Sequence, residues 1–124
     1  MTVPVKLRLP HLLFYGLLAL ATYSGLSRGG LELTAVASDK VLHWAGYTGL
    51  LVFGRIAHDR RPAAVFSGLF LYSIGIEIIQ YFLPYRSFEV LDILANLAGL
   101  VTGSLLWLLF RRLYPRRPAG DVLS

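Results

Sequence analysis

Four uninterrupted apolar runs, separated only by short polar breaks, constrain this chain more than any other feature. They cover about residues 10–27, 41–57, 63–83 and 89–110. A hydrocarbon core about 30 Å thick is crossed by about 20 helical residues, and each run is near that length. A membrane barrel would show alternation with period two. These runs are continuous and Leu-rich instead, so they predict helices. A soluble domain of 124 residues that is 56% hydrophobic and 15% charged could not hide its apolar surface, because small domains keep a high surface-to-volume ratio. Lipid covers such a surface. The expected fold is all-α: one domain, a polytopic membrane protein built as a four-helix transmembrane bundle.

The breaks are sharp. "SRGG" at 27–30 ends the first run, "HDRRP" at 58–62 joins the second to the third, and "PYRS" at 84–87 joins the third to the fourth. Pro62 and Pro84 suit helix boundaries. Lys6, Arg8, Arg55, Arg60, Arg61, Arg111, Arg112, Arg116 and Arg117 fall on one side of this topology, against Arg28, Lys40 and Arg86 on the other. By the positive-inside rule both termini, with a tail from 111 to 124, are expected in the cytoplasm. The alternative at the N-terminus is a signal peptide with Ala19–Leu20–Ala21 as its cleavage pattern, which leaves three spans; the apolar character continuing past Ala21 argues against it. The formal charge of +5 collects at run ends as topology signals do, so nucleic acid is not an expected partner. With no cysteine, thiol chemistry and Cys-based metal sites are excluded.

The remaining polar residues gather at one end. Asp39, His43 and Tyr47 are spaced i, i+4, i+8 on the second helix and share a face. The third helix brings Glu77, Gln80 and Tyr81 to the same depth, with Arg86 in the turn beyond. On the fourth, Asp92, Asn96, Gly99 and Gly103 form one stripe, and a Gly-x-x-x-Gly face lets a neighbouring helix approach closely. Polar groups inside a membrane are expensive, so they are expected to turn inward and pair. Glu77 reads as a general acid or base, or as an ion-pair partner that locks helices together. His43 reads as a base held by Asp39 or Asp92, or as a structural histidine. Asp92 with Asn96 orients a headgroup or the histidine, or caps the fourth helix. Arg86 and Lys40 could clamp a phosphate, or anchor the rim by snorkelling. His43, Glu77 and Asp92 are metal-ligand types, but one histidine in the cluster and no H-x-x-x-H lead to the expectation of no metal and no cofactor. Trp44, Trp107, Tyr81, Tyr85 and Tyr114, with His11 and His58, are expected at the membrane interfaces.

Together, D-K-x-x-H-x-x-x-Y at 39–47, E-x-x-Q-x-x-x-P-x-R at 77–86 and D-x-x-x-N-x-x-G-x-x-x-G at 92–103 resemble the VanZ-like family of small bacterial integral membrane proteins. The resemblance spans about residues 10–110. It implies that Asp39, Lys40, His43, Tyr47, Glu77, Gln80, Arg86, Asp92 and Asn96 are the characteristic polar positions, with Glu89 a weaker match. It also implies an envelope role in the bacterial cytoplasmic membrane, since the founding member is associated with teicoplanin resistance. The expected reading is therefore a polar site open to the outer leaflet. Glu77, His43 and Asp92 would carry the chemistry, and Asp39, Lys40, Tyr47, Gln80, Arg86 and Asn96 would bind a membrane lipid or a lipid-linked wall precursor. The alternative is a non-enzymatic scaffold, working as a homo-oligomer or with an envelope-protein partner, whose polar network only holds helices together.

Overall fold

The computed structural model describes residues 9–27, 39–86 and 88–115. These form four helices: α1 (Leu9–Leu26), α2 (Asp39–Ala57), α3 (Pro62–Phe82) and α4 (Val90–Leu113). At 1.5 Å per residue they are about 27, 28, 31 and 36 Å long, matched to a bilayer core. Pro62 is the first residue of α3, where its missing N–H costs nothing. Leu83, ahead of Pro84, is extended and ends α3, as a residue preceding proline prefers. α2 starts earlier than its apolar run and takes in Asp39 and Lys40. α4 continues through Arg111 and Arg112, so the first residues assigned to the tail are helical, with cations where the helix dipole favours them.

α1, α3 and α4 are long and apolar enough to cross a membrane. α2 is not, because Asp39, Lys40, His43 and Arg55 lie within its 19 residues. The closest helix pair is α2 on α4. α1 touches α2 and α3, α4 touches the same two, and α1 and α4 lie apart on opposite sides. The core is small: Phe14, Tyr47, Leu50, Leu51, Val65, Leu69 and Leu100. Large apolar side chains instead cover the outside, as with Leu71 at 66% exposed, Phe82 at 75% and Leu105 at 61%. Water would penalise that surface by about 25 cal/mol per Å², whereas lipid tails do not. With its three apolar helices, this outward face makes the chain a membrane protein.

Glycine decides the α2–α4 contact. A Cβ on Gly99 would run into the Trp44 carbonyl and lie 3.0 Å from Tyr47 Cβ; one on Gly103 would lie 2.8 Å from both the Thr48 carbonyl oxygen and Leu51 Cβ. The predicted small-residue stripe therefore faces α2. At the far end, Trp107 is 5% exposed, with the Arg55 and Arg111 guanidinium groups 5.5 and 5.6 Å from its ring centroid. Its indole packs inward there against these cations. Asp59 approaches both arginines, at 3.9 and 3.8 Å, and ties α2 to α4.

Candidate functional site

The site lies where α2 and α4 begin and α3 ends. Helix periodicity puts its side chains on the inner faces. Buried positions on α3 run Val65, Leu69, Ser73, Glu77, Gln80, and on α4 Asp92, Asn96, Gly99, Leu100, Gly103, Trp107. Along the axes, His43 is about 6 Å and Glu77 about 8 Å from their helix ends. Glu77 is 1% exposed, Asp92 6% and Asn96 2%.

His43, Glu77 and Asp92 each offer a ligating atom within 4.8 Å of the other two. His43 Nδ1 is 2.9 Å from Asn96 Oδ1. That oxygen only accepts, so Nδ1 donates, which fixes the ring's orientation. Nε2 lies 3.7 Å from Asp92 Oδ2. Asp92 Oδ1 accepts from Lys40 Nζ at 2.5 Å, and Lys40 also pairs with Glu89. The Glu89 backbone N–H donates to Glu77 Oε2 at 3.3 Å, while Glu77 Oε1 is buried and accepts no hydrogen bond. The α3 acid thus caps the start of α4, where the Glu89 side chain makes no capping bond of its own. Asp92 is in the first turn of α4. The dipole stabilises its charge there in addition to Lys40.

A second group, in which Gln80 and Arg86 were expected to belong with the first, serves α1 instead. Gln80 Nε2 donates to the Gly25 carbonyl at 2.7 Å and Tyr85 Oη to the Leu26 carbonyl at 2.8 Å. Arg86 donates through Nε to Ser27 O at 3.1 Å, and through Nη2 to Ser24 O at 2.7 Å and Ser27 O at 2.8 Å. Helix C-termini leave orphan carbonyls, and these side chains satisfy them. Among the described residues no acid lies within ion-pair distance of Arg86, so the expected grouping of Arg86 with Glu77 and Asp92 is replaced by this collar. Tyr47 is core, its ring 6.4 Å from that of Tyr72. Asp39 opens α2, and its side chain lies outside the described residues, as do Ser87, Arg28 and Glu32.

Two contributors were under-read in the sequence. Glu89 holds Lys40 and donates its N–H to Glu77, although it stood only as a weak match. Tyr85, read as an interfacial aromatic, is a helix cap; nothing local to "LPYRS" marks it as one, because its partner is about sixty residues away in the chain. His58 accepts or donates a 2.8 Å hydrogen bond with Tyr15 at the opposite end of the bundle, and its ring meets that of His11 edge-on; neither lies near the acid cluster.

Chemically, the first group offers a buried carboxylate, an oriented imidazole and a lysine-paired aspartate: a set that can hold or move protons, or ligate a cation. A family model described as VanZ/LLP1 matches residues 9–111. No curated protein and no solved structure matches the chain.

Proposed function

Since the chain belongs to the VanZ/LLP1 family, we propose that it is a four-span protein of the bacterial cytoplasmic membrane whose acid–histidine site faces the outer leaflet and binds or modifies an amphiphilic envelope molecule. The ligand class is a lipid-linked wall precursor or an anionic lipid, and the expected consequence is altered teicoplanin susceptibility. One observation carries this reading: His43, Glu77 and Asp92 converge from three helices within 4.8 Å, close to one end of the bundle. Burying such groups in a membrane bundle is costly unless they are used. Glu77 and His43 handle protons in this reading, Asp92 and Asn96 orient the histidine, and Lys40 presents a cation to an anionic headgroup. α2 crosses as the fourth span because it lies against all three apolar helices and contributes Leu50 and Leu51, which are almost fully buried. Arg55, Arg60, Arg61, Arg111 and Arg112 lie at the end away from the site, which supports a cytoplasmic position for that end by the positive-inside rule.

The test is teicoplanin tolerance in a susceptible Gram-positive host carrying equal membrane amounts of wild type and Glu77→Gln. Protection by the wild type alone is expected. Equal tolerance with either protein overturns the reading.

The scaffold reading has its own support in the Gln80–Tyr85–Arg86 collar, which only joins helices. The two readings separate on Glu77→Gln and Asp92→Asn. A scaffold loses membrane abundance and melting temperature, whereas a working site loses activity with stability kept.

A further inference from the structure

The acid–histidine group carries more than proton chemistry. His43, Glu77 and Asp92 supply one nitrogen and two carboxylate oxygens from three different helices, with ligating atoms within 4.8 Å of each other. Around a divalent metal with bonds of about 2.0–2.2 Å, neighbouring ligand atoms stand about 3–3.5 Å apart. His43 Nε2 and Asp92 Oδ2, at 3.7 Å, are close to that spacing.

Two further observations point to a ligand. Glu77 is buried almost completely, yet its Oε1 accepts no hydrogen bond, and an orphaned carboxylate oxygen in such a place is expensive. Asn96 accepts the Nδ1 proton of His43, the outer contact that metal-binding histidines ordinarily make, which fixes the ring with Nε2 on the Asp92 side. The absence of H-x-x-x-H in the sequence does not bear on this arrangement, because each ligand comes from a separate helix.

We propose that His43, Glu77 and Asp92 bind one divalent transition-metal cation of the Zn²⁺ or Mn²⁺ type, with Asn96 orienting the histidine. Mixed imidazole and carboxylate ligation favours these ions over Ca²⁺ and Mg²⁺, which prefer all-oxygen sites. The site stands independently of the lipid reading, since it forms from this chain's residues alone.

The experiment is titration of tag-free, chelator-stripped full-length protein in detergent with Co²⁺ alone. Visible absorption reports ligation, and Zn²⁺ and Mn²⁺ are then added in competition. One Co²⁺ per chain is expected, displaced by Zn²⁺ or Mn²⁺, with affinity weakened at least tenfold in Glu77→Gln and His43→Gln, and unchanged in His58→Ala at the opposite end. No ligand-field absorption with the wild type overturns the proposal. So do equal affinities in wild type and His43→Gln, or binding lost only in His58→Ala. Should Glu77→Gln not accumulate, the half-buried His43→Gln variant decides alone. Because no lipid or antibiotic enters the measurement, its failure leaves the envelope reading standing, and failure of that reading leaves the cation site standing.

Discussion

Arg86 makes three hydrogen bonds to carbonyl oxygens at the end of α1, and their removal sets a prediction at the scale of one side chain. Arg86→Ala strips a charged donor from partly buried carbonyls and is expected to lower stability by about 1–3 kcal/mol. Arg86→Lys is expected to recover only part of that, because an ammonium cannot reproduce the planar fork. Thermal unfolding in detergent reads both. If Arg86→Ala left melting unchanged while abolishing ligand binding, the arginine would be a clamp and not a collar. The same residue shows where the sequence stops being informative. The i, i+4 spacing of Asp92 and Asn96, and the place of His43 on its helix, put these groups on one inner face, and the structure finds them in contact. Arg86 shares their end of the bundle, but its partners are backbone carbonyls, which every residue has. No residue type in the sequence advertises a carbonyl as the destination.

At the scale of the helix, the α2–α4 seam follows from two glycines that leave no room for a methyl group. Gly99→Ala and Gly103→Ala would press a Cβ on the Trp44 and Thr48 carbonyls, which are backbone atoms with nowhere to yield. Each substitution is expected to cost about 1–3 kcal/mol as overpacking, and to separate the ends of α2 and α4 that hold the site. Gly75 on α3 has nothing within 4 Å of where its Cβ would lie, so Gly75→Ala is expected to be neutral or to gain up to about 1 kcal/mol in helix propensity. Melting temperatures of the three variants check this; a Gly99→Ala protein as stable as Gly75→Ala would mean the seam is looser than described. The seam was legible beforehand because G-x-x-x-G in an apolar helix has a physical reading of its own. Which helix fills the groove was not, since the small-residue pattern says only that something comes close. The burial of Trp107 was not legible for a related reason: an indole near the end of an apolar run suits the interface, and only packing brings Arg55 and Arg111 to its ring.

For the molecule as a whole, the arrangement of four helices with the site at one end and the arginines at the other requires a definite transmembrane order. The chain contains no cysteine, so single-cysteine variants report on topology without a background to remove. Val41→Cys lies at the site end of α2, Arg60→Cys in the turn after it, and Phe88→Cys in the link between α3 and α4. All three are exposed positions. In intact cells a membrane-impermeant maleimide is expected to label positions 41 and 88, and to reach 60 only after the membrane is opened. Labelling of 41 and 60 from the same side would remove α2 as a span, and the acid–histidine group would then have no route to the outer leaflet on that helix. Labelling of 60 alone in intact cells would invert the molecule and turn the site toward the cytoplasm. The charge distribution opposes inversion. Arg60 and Arg61 share their end of the bundle with Arg111 and Arg112, whereas the site end carries Lys40 and Arg86, one neutralised by Asp92 and Glu89 and the other held on carbonyl oxygens. The excess of arginines at the Arg60 end, against Lys40 paired with acids at the other, is why the labelling is expected to find that end inside, where the membrane potential and the anionic inner leaflet favour cations.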